Sequence, residues 1–220
     1  MKKKLVIFDL DGTLIDSRAD LASAVNLMRA DYGLAPLDLA MVTAFVGNGM
    51  KKLVERALKG VSVSVDEAVG RMRGHYKEHL VEQTQFYPGT VAALKTIKNA
   101  GYNLAIVTNK PEDETRQICR HFGIDELFGA LLGGDSCENL KPHPEPLYLA
   151  LRLTGSERDG AWMVGDNYTD LAAGRQAGMR RCYCRYGFGR LQGESFDLAV
   201  DSLGEFAEFL SGLNDKDWRA

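Results

Sequence analysis

Short apolar runs that stop abruptly at polar clusters are the feature that most restricts how this chain can fold. Leu5-Val6-Ile7-Phe8 runs into Asp9-Leu10-Asp11-Gly12-Thr13, and Asn103-Leu104-Ala105-Ile106-Val107 runs into Thr108-Asn109-Lys110. Ala161-Trp162-Met163-Val164 runs into Gly165-Asp166-Asn167-Tyr168-Thr169-Asp170, and Ala130-Leu131-Leu132-Gly133 is a shorter run of the same kind. Runs of this length, bounded by turn formers, read as strands buried on both faces. Arg181–Arg185 and Leu198-Ala199-Val200 are further strand candidates.

Helical segments alternate with these strands. They are predicted over Pro111–Phe122, ended by Gly123, over Pro144–Leu153 with proline in the first turn, over Tyr168–Ala177, stopped by Gly178, and over Leu203–Leu210. Alternation of this kind predicts an α/β fold, a Rossmann-like mostly parallel sheet with helices on both faces. A different block separates the first strand from the rest. Leu21, Val25, Met28 and Tyr32 recur at helical spacing, with Asp16 or Ser17 as N-cap and Gly33 as stop. Leu53, Ala57 and Leu58 mark a second stripe, and Val65, Val69, Met72 and Tyr76 a third. The expected organisation is therefore a core of residues 1–15 and 84–220 with an α-helical domain, 16–83, inserted after the first strand. Residues 212–220 read as a frayed tail.

Composition removes several partners. Of 220 residues, 45% are hydrophobic and 26% charged, and the net charge is −3. That balance gives no electrostatic case for nucleic acid or an anionic membrane. The apolar run after Lys2-Lys3-Lys4 is too short for a signal peptide or membrane span, so a cytoplasmic protein is expected. Cys119, Cys137, Cys182 and Cys184 then read as reduced thiols. Cys182 and Cys184 alternate onto one strand face, and neither a disulfide nor a zinc site is expected there. His75 and His79 stand four apart on a helix, but no third ligand lies near them in sequence and zinc is not expected. His143 reads as a loop residue at the margin of the site.

A parallel sheet would bring Asp9-Leu10-Asp11, Thr108-Asn109-Lys110, Lys141-Pro142 and Gly165–Asp170 to one carboxyl edge, where ligands bind in open α/β sheets. Two carboxylates there repel each other unless a cation or partner stabilises both. Acids hold a hard cation through oxygen. A hydroxyl, an amide and a lysine bind phosphate oxygens. Together the two sets suit phosphoryl transfer. Each cluster also has a plain structural reading. Asp9 and Asp11 are turn formers with Gly12 supplying backbone freedom, Thr108 caps a helix, Lys141 is a solvated loop residue, and Asp166 and Asp170 favour a helix N-terminus. The order of all four clusters on one edge favours the chemical reading.

In that order and spacing the clusters resemble the motifs of the haloacid dehalogenase superfamily, specifically its aspartate-dependent phosphohydrolases. Asp9–Leu14 resembles the first motif, Thr108-Asn109 the second, Lys141 the third and Gly165-Asp166 through Asp170 the fourth. The resemblance implies that Asp9 attacks phosphorus to form an aspartyl-phosphate. It implies that Asp11 is the general acid and base, and that Mg2+ is held by the Asp9 carboxylate, the Asp11 backbone carbonyl and Asp166. Thr108 and the Asn109 backbone would grip phosphate oxygens, Lys141 would neutralise charge on nucleophile and phosphate, and Gly12 would shape the turn. Asp170 would act through water or by orienting Lys141.

The inserted helices would form a cap that selects the substrate, closing on hinges near Asp16 and 83–87. Phe45-Val46-Gly47-Asn48-Gly49 is its most distinctive segment. Gly47, Asn48 and Gly49 would turn backbone amides toward a ligand, with Lys51 and Lys52 adding charge. The same segment also reads as a glycine-rich helix-helix turn. It resembles bacterial phosphoglycolate phosphatases, as do Leu53–Leu58, Tyr87-Pro88-Gly89, Lys141–Leu147 and Tyr186-Gly187-Phe188-Gly189, while Asn167-Tyr168-Thr169 departs from their commonest filling. The resemblance implies a Mg2+-dependent phosphatase acting on 2-phosphoglycolate, as monomer or homodimer. The alternatives are a phosphomutase or a phosphatase for sugar phosphates, pyrophosphate or nucleotides on the same scaffold, and a non-catalytic binding module.

Overall fold

A computed structural model describes residues 3–212; the stretch 213–220 of the expected tail lies outside them. The chain begins with β1 (Lys4–Phe8) and β2 (Ile15–Asp16), and continues through α1 (Arg18–Asp31), α2 (Leu39–Thr43), α3 (Met50–Ala57) and α4 (Val65–Glu78) to β3 (Gln85–Phe86). Then follow α5 (Thr90–Asn99), β4 (Asn103–Val107), α6 (Glu112–His121), β5 (Ala130–Leu132) and α7 (Glu145–Thr154). The last elements are β6 (Glu157–Gly165), α8 (Tyr168–Ala177), β7 (Arg180–Cys184), β8 (Leu198–Val200) and α9 (Leu203–Gly212).

Among the described residues, six strands form one sheet in the order β5-β4-β1-β6-β7-β8, and every pairing in it is parallel. Strand alternation divides the apolar residues between two layers. Val6, Phe8, Ile106, Trp162 and Val164 pack on one face with residues of α5, α6 and α9. Leu5, Ile7, Ala105, Val107 and Met163 pack on the other with residues of α7 and α8. Leu5 through Phe8 are fully buried, each stabilising the fold by roughly 1.5–3 kcal/mol. Both faces are covered, as the apolar runs require.

The chain moves from β1 outward to β4 and β5, then returns to the other side of β1 for β6, β7 and β8. The order thus reverses at β1, and a crevice opens at the carboxyl ends of β4, β1 and β6. Register aligns those ends, since Phe8 pairs with both Ile106 and Val164. Asp9, Thr108 and Asp166, each just past its strand, therefore meet.

Helices α1–α4 lie between β2 and β3. α1 packs on α2 and α4, and α3 packs on α4. Leu21, Val25 and Met28 of the first stripe are buried and Tyr32 half-buried; of the third, Met72 and Tyr76 are buried and Val65 and Val69 half-buried, with Ala68 buried beside them. The two chain crossings between this block and the sheet form an antiparallel ribbon, with Ile15 paired to Phe86 and Asp16 to Gln85. Buried Asp20 ties the ribbon down, accepting hydrogen bonds from the Gln83 and Thr84 amides and from the Thr84 hydroxyl at 2.7–3.1 Å.

Five elements differ from the sequence expectation. The ribbon strands are two residues each, too short to show a period. Helices α2 and α5 stand where no element was assigned. β6 begins at Glu157 rather than Ala161, because its first residues, Glu157-Arg158-Asp159, are exposed and polar.

Candidate active site

Asp9 follows β1 directly, and its amide donates to the Val164 carbonyl at 2.9 Å, so the parallel ladder extends onto the nucleophile candidate. Behind it lies Lys141, whose side chain is 1% exposed. Its Nζ donates to Asp9 Oδ1 at 3.0 Å, Asp170 Oδ1 at 2.6 Å and the Val107 carbonyl at 2.6 Å. Asp170 thus contacts the Lys141 ammonium directly. Burial alone would lower the Lys141 pKa, but Asp170 and Asp9 more than offset it, and the lysine is held above its usual value. Asp170 is itself fixed from the other side. It caps α8 with Asn167, accepting from the Asn167 amide at 3.0 Å.

Asp9, Asp166 and Asp170 each offer an oxygen within 4.8 Å of the others, and all three are buried. Burial, then the charges of Asp170 and Asp9, push the Asp166 carboxyl well above the usual range. The Asp170 carboxyl is pushed up as well, chiefly by burial, against the pull of Lys141. Asp166 Oδ2 accepts from the Phe188 and Gly189 amides at 2.9 and 2.7 Å. Backbone surrounds these acids tightly. A Cβ on Gly12 or Gly187 would collide with Asp166, and one on Gly165 with Asp170. Gly12 also has φ +87°, a conformation that disfavours any side chain.

Asp11 points elsewhere. Its carboxylate lies 2.8 Å from Lys110 Nζ and accepts from the Ser17 hydroxyl. Lys110 also donates to the Tyr76 hydroxyl at 2.8 Å, and its ammonium sits 4.6 Å from the centre of that ring. Burial pushes the Tyr76 phenol up to about 12, so it keeps its proton at neutral pH. Burial opposes the charge on Lys110, but Asp11 and Tyr76 prevail and hold its pKa above the usual value. The sequence names Lys110 only as part of a polar cluster. Its position just past β4, beside Asn109, is the signal that places it at the site; its pairing with Asp11 and with Tyr76 of α4 is not legible from spacing.

Asp9, Asp11, Thr108, Asn109, Lys141 and Asp166 line one cleft with Gly47 and Gly49. The cleft admits the centres of water-sized spheres over about 50 Å3, a few times the 10–15 Å3 one water needs on that measure. Thr108 is buried, and its Oγ1 accepts from the Lys110 amide at 3.3 Å. The Asn109 side chain is already committed, donating to the Gly47 and Lys141 carbonyls at 2.9 Å and accepting from the Lys141 amide at 3.0 Å.

The helical block departs from expectation in detail. Asn48 braces the loop, donating to the Tyr168 hydroxyl at 2.7 Å and accepting from Arg56 at 2.8 Å. Lys51 and Lys52 pair with Asp66 and Glu55 on the exposed side of α3, outside the cleft. Two longer contacts fasten the block to the sheet side. Arg73 grips buried Glu114 at 2.6 and 3.1 Å, and Lys77 meets Asp113 at 2.6 Å. His75 pairs with Asp31 and His79 with Glu82, each at 2.8 Å. The four cysteines are free. Among the described residues, no helix is long and apolar enough to cross a membrane.

Comparison with known proteins gives one consistent family. The model of haloacid dehalogenase-like hydrolases matches residues 6–184. A phosphoglycolate phosphatase of Psychrobacter arcticus is 40% identical over 197 residues, 86% of either chain. One from Haemophilus influenzae is 37% identical over 194 residues, 84% of this chain and 87% of that one. The crystal structure of a predicted phosphoglycolate phosphatase from Haemophilus somnus 129pt superposes with a TM-score of 0.89 at 31% identity, covering 95% of this chain and 98% of that one. With the parallel sheet and the acid cluster at its edge, these matches establish that the chain belongs to the haloacid dehalogenase-like hydrolases.

Proposed function

We propose that this protein is a Mg2+-dependent phosphatase for small phosphomonoesters, converting 2-phosphoglycolate to glycolate and phosphate through an aspartyl-phosphate on Asp9. The observation that carries this reading is Lys141, buried between Asp9 and Asp170 beneath a cleft that also receives Asp166 and Asp11. A site with two separately held aspartates, one on each lysine, divides the labour of nucleophile and proton carrier.

Asp9 would attack phosphorus, while Asp11 gives its proton to the leaving alkoxide. Asp11 then takes a proton from the water that hydrolyses the aspartyl-phosphate, returning both acids to their starting states. Lys141 holds charge on Asp9 and on the phosphate, while the Thr108 hydroxyl and the Asn109 backbone amide bind phosphate oxygens. The Asn109 side chain leaves that backbone amide in place by bridging Gly47 to Lys141.

The donor set fits a hard cation. Four carboxylates, Asp9, Asp11, Asp166 and Asp170, face two lysines in the cleft region, and the cluster of three is all oxygen. Asp9 and Asp166 with the Asp11 backbone carbonyl would hold Mg2+. When bound, the ion stabilises charge developing on phosphoryl oxygens. Residues 16–83 would form a cap over a core of 1–15 and 84–220. Leu21, Met50, Leu53 and Met72 give its cleft wall few groups for sugar hydroxyls, which disfavours a sugar phosphatase or mutase. We read it as a cytoplasmic protein, monomer or homodimer.

The test is a comparison of kcat/KM over 2-phosphoglycolate, a hexose phosphate, pyrophosphate and a nucleoside monophosphate. 2-Phosphoglycolate is expected to rank first; a rank below any of the others overturns the substrate assignment.

A further inference from the structure

Among the described residues of the cleft, Lys110 is a second buried cation, set apart from Lys141 and paired with Asp11. Lys141 is committed to Asp9 and Asp170 at the base. Lys51 and Lys52 face outward in exposed pairs. Lys110 remains, rising from the end of β4 with its side chain 4% exposed and lining the same cleft. Its second partner, the Tyr76 hydroxyl, comes from α4 on the opposite wall. The surrounding wall is apolar, with Leu21, Met50, Leu53 and Met72.

Donor capacity decides what this pair can take. An ammonium has three N–H donors, and a phenol both accepts and donates. Asp11 and the Tyr76 oxygen accept from Lys110. The second Asp11 oxygen lies 2.8 Å from the same ammonium, so the donor that remains is the phenolic O–H beside it. A phenolic donor next to an ammonium, in a wall that also carries Leu21, Met50, Leu53 and Met72, fits a carboxylate oxygen.

We propose that Lys110 and Tyr76 form the subsite for an anionic arm of the substrate, selecting phosphomonoesters that carry a carboxylate close to the ester oxygen. This inference rests on the phosphatase reading and names the group that sets its specificity. Lys110 is a specificity-determining residue here, and α4 contributes to the subsite only with the helical block seated against the sheet.

The experiment compares Mg2+-loaded wild type, Lys110→Met and Tyr76→Phe on 2-phosphoglycolate and on 2-hydroxyethyl phosphate, which has a hydroxyl in place of the carboxylate. Wild type is expected to favour 2-phosphoglycolate. Lys110→Met should lower kcat/KM for it by roughly 100-fold, the loss typical when one partner of a buried charge pair is removed; the neutral ester loses only the part that comes from leaving Asp11 without its lysine. The ratio of the two specificity constants then falls at least about tenfold. Tyr76→Phe, which removes one oxygen and endangers folding least, should lower the same ratio by about 3–10-fold. Equal losses on both esters would overturn the inference, since Lys110 would then serve Asp11 or the fold alone. An unchanged ratio in both variants overturns it too. A wild type that hydrolyses both esters without preference defeats the carboxylate subsite and spares the phosphatase. One that hydrolyses neither defeats the phosphatase reading itself.

Discussion

If residues 16–83 form the proposed cap, replacing Arg73 with alanine separates its closure from folding. Arg73, on α4, places two nitrogens on Glu114 of α6 at 2.6 and 3.1 Å. The Glu114 side chain is 0% exposed while that of Arg73 is 38% exposed. Removing the arginine leaves a buried carboxylate without its main partner. Breaking a fully buried pair costs about 3–5 kcal/mol. Partial exposure of Arg73, and Lys77 at 3.9 Å from the same carboxylate, reduce that to about 2 kcal/mol. The protein has a way to avoid the cost. If α4 lifts from α6, Glu114 becomes solvated. The variant would then shift the cap toward an open state by about 30-fold, raising KM while Tm falls by less than ~2 °C. Small-angle X-ray scattering and a thermal melt read the two outcomes separately, with an enlarged radius of gyration marking the open state. A fall of ~4–8 °C in Tm, which 2 kcal/mol gives in a chain of this size, with unchanged scattering and KM, would refute the reasoning and make the pair simply part of the fold.

Two further outcomes follow from the site. Asp9→Asn removes the nucleophile at almost constant volume, so turnover should disappear while the circular dichroism spectrum and Tm stay close to wild type; measurable turnover in that variant would sink the covalent route. Metal and pH are linked through Asp166 and Asp170, both raised chiefly by burial. A folded acid with a raised pKa binds protons more tightly than the unfolded chain does, so the contribution of these two acids to metal-free stability is greatest at the acidic end and declines as pH rises through neutrality. Mg2+ replaces those protons, and at 100 times its Kd would add about 2.7 kcal/mol, or ~5–10 °C. The gain in Tm on adding Mg2+ should therefore be larger at pH 7.5 than at pH 5.5, and an equal or reversed dependence would contradict the acid cluster as its site.

Much of this architecture is legible in the sequence because strand ends are chemically marked. The apolar run Leu5–Phe8 admits no other placement than the middle of a covered sheet, and acids directly after it must lie at the sheet edge. The same logic brings Asp166 and Asp170 to that edge. What escapes depends on contacts between distant segments. Tyr76 and Ser17 reach Lys110 and Asp11 from helices whose tilt no periodicity encodes. Asn48 looks from its flanking glycines like part of a ligand loop, yet its side chain is spent on Tyr168 and Arg56. Lys51 and Lys52 suggest a basic lining, but helical geometry turns both outward. The β2–β3 ribbon is too short for any pattern, and its fastening by Asp20 spans more than sixty residues. Phe188 acts through its backbone amide, for which side-chain identity carries no message.

The glycines around Asp166 and Asp170 have a consequence for how this site can vary. Gly12, Gly187 and Gly165 occupy positions where even a methyl group would overlap a carboxylate. Space for the acids is thus allotted to the last atom, and their reach is fixed as firmly as their charge. Lengthening Asp166 to glutamate keeps the chemistry but adds a methylene with nowhere to go. The site is therefore surrounded by a ring of positions that never touch a reacting atom yet tolerate almost no substitution. A map of mutational tolerance across this chain would outline the carboxylates by the side chains forbidden beside them.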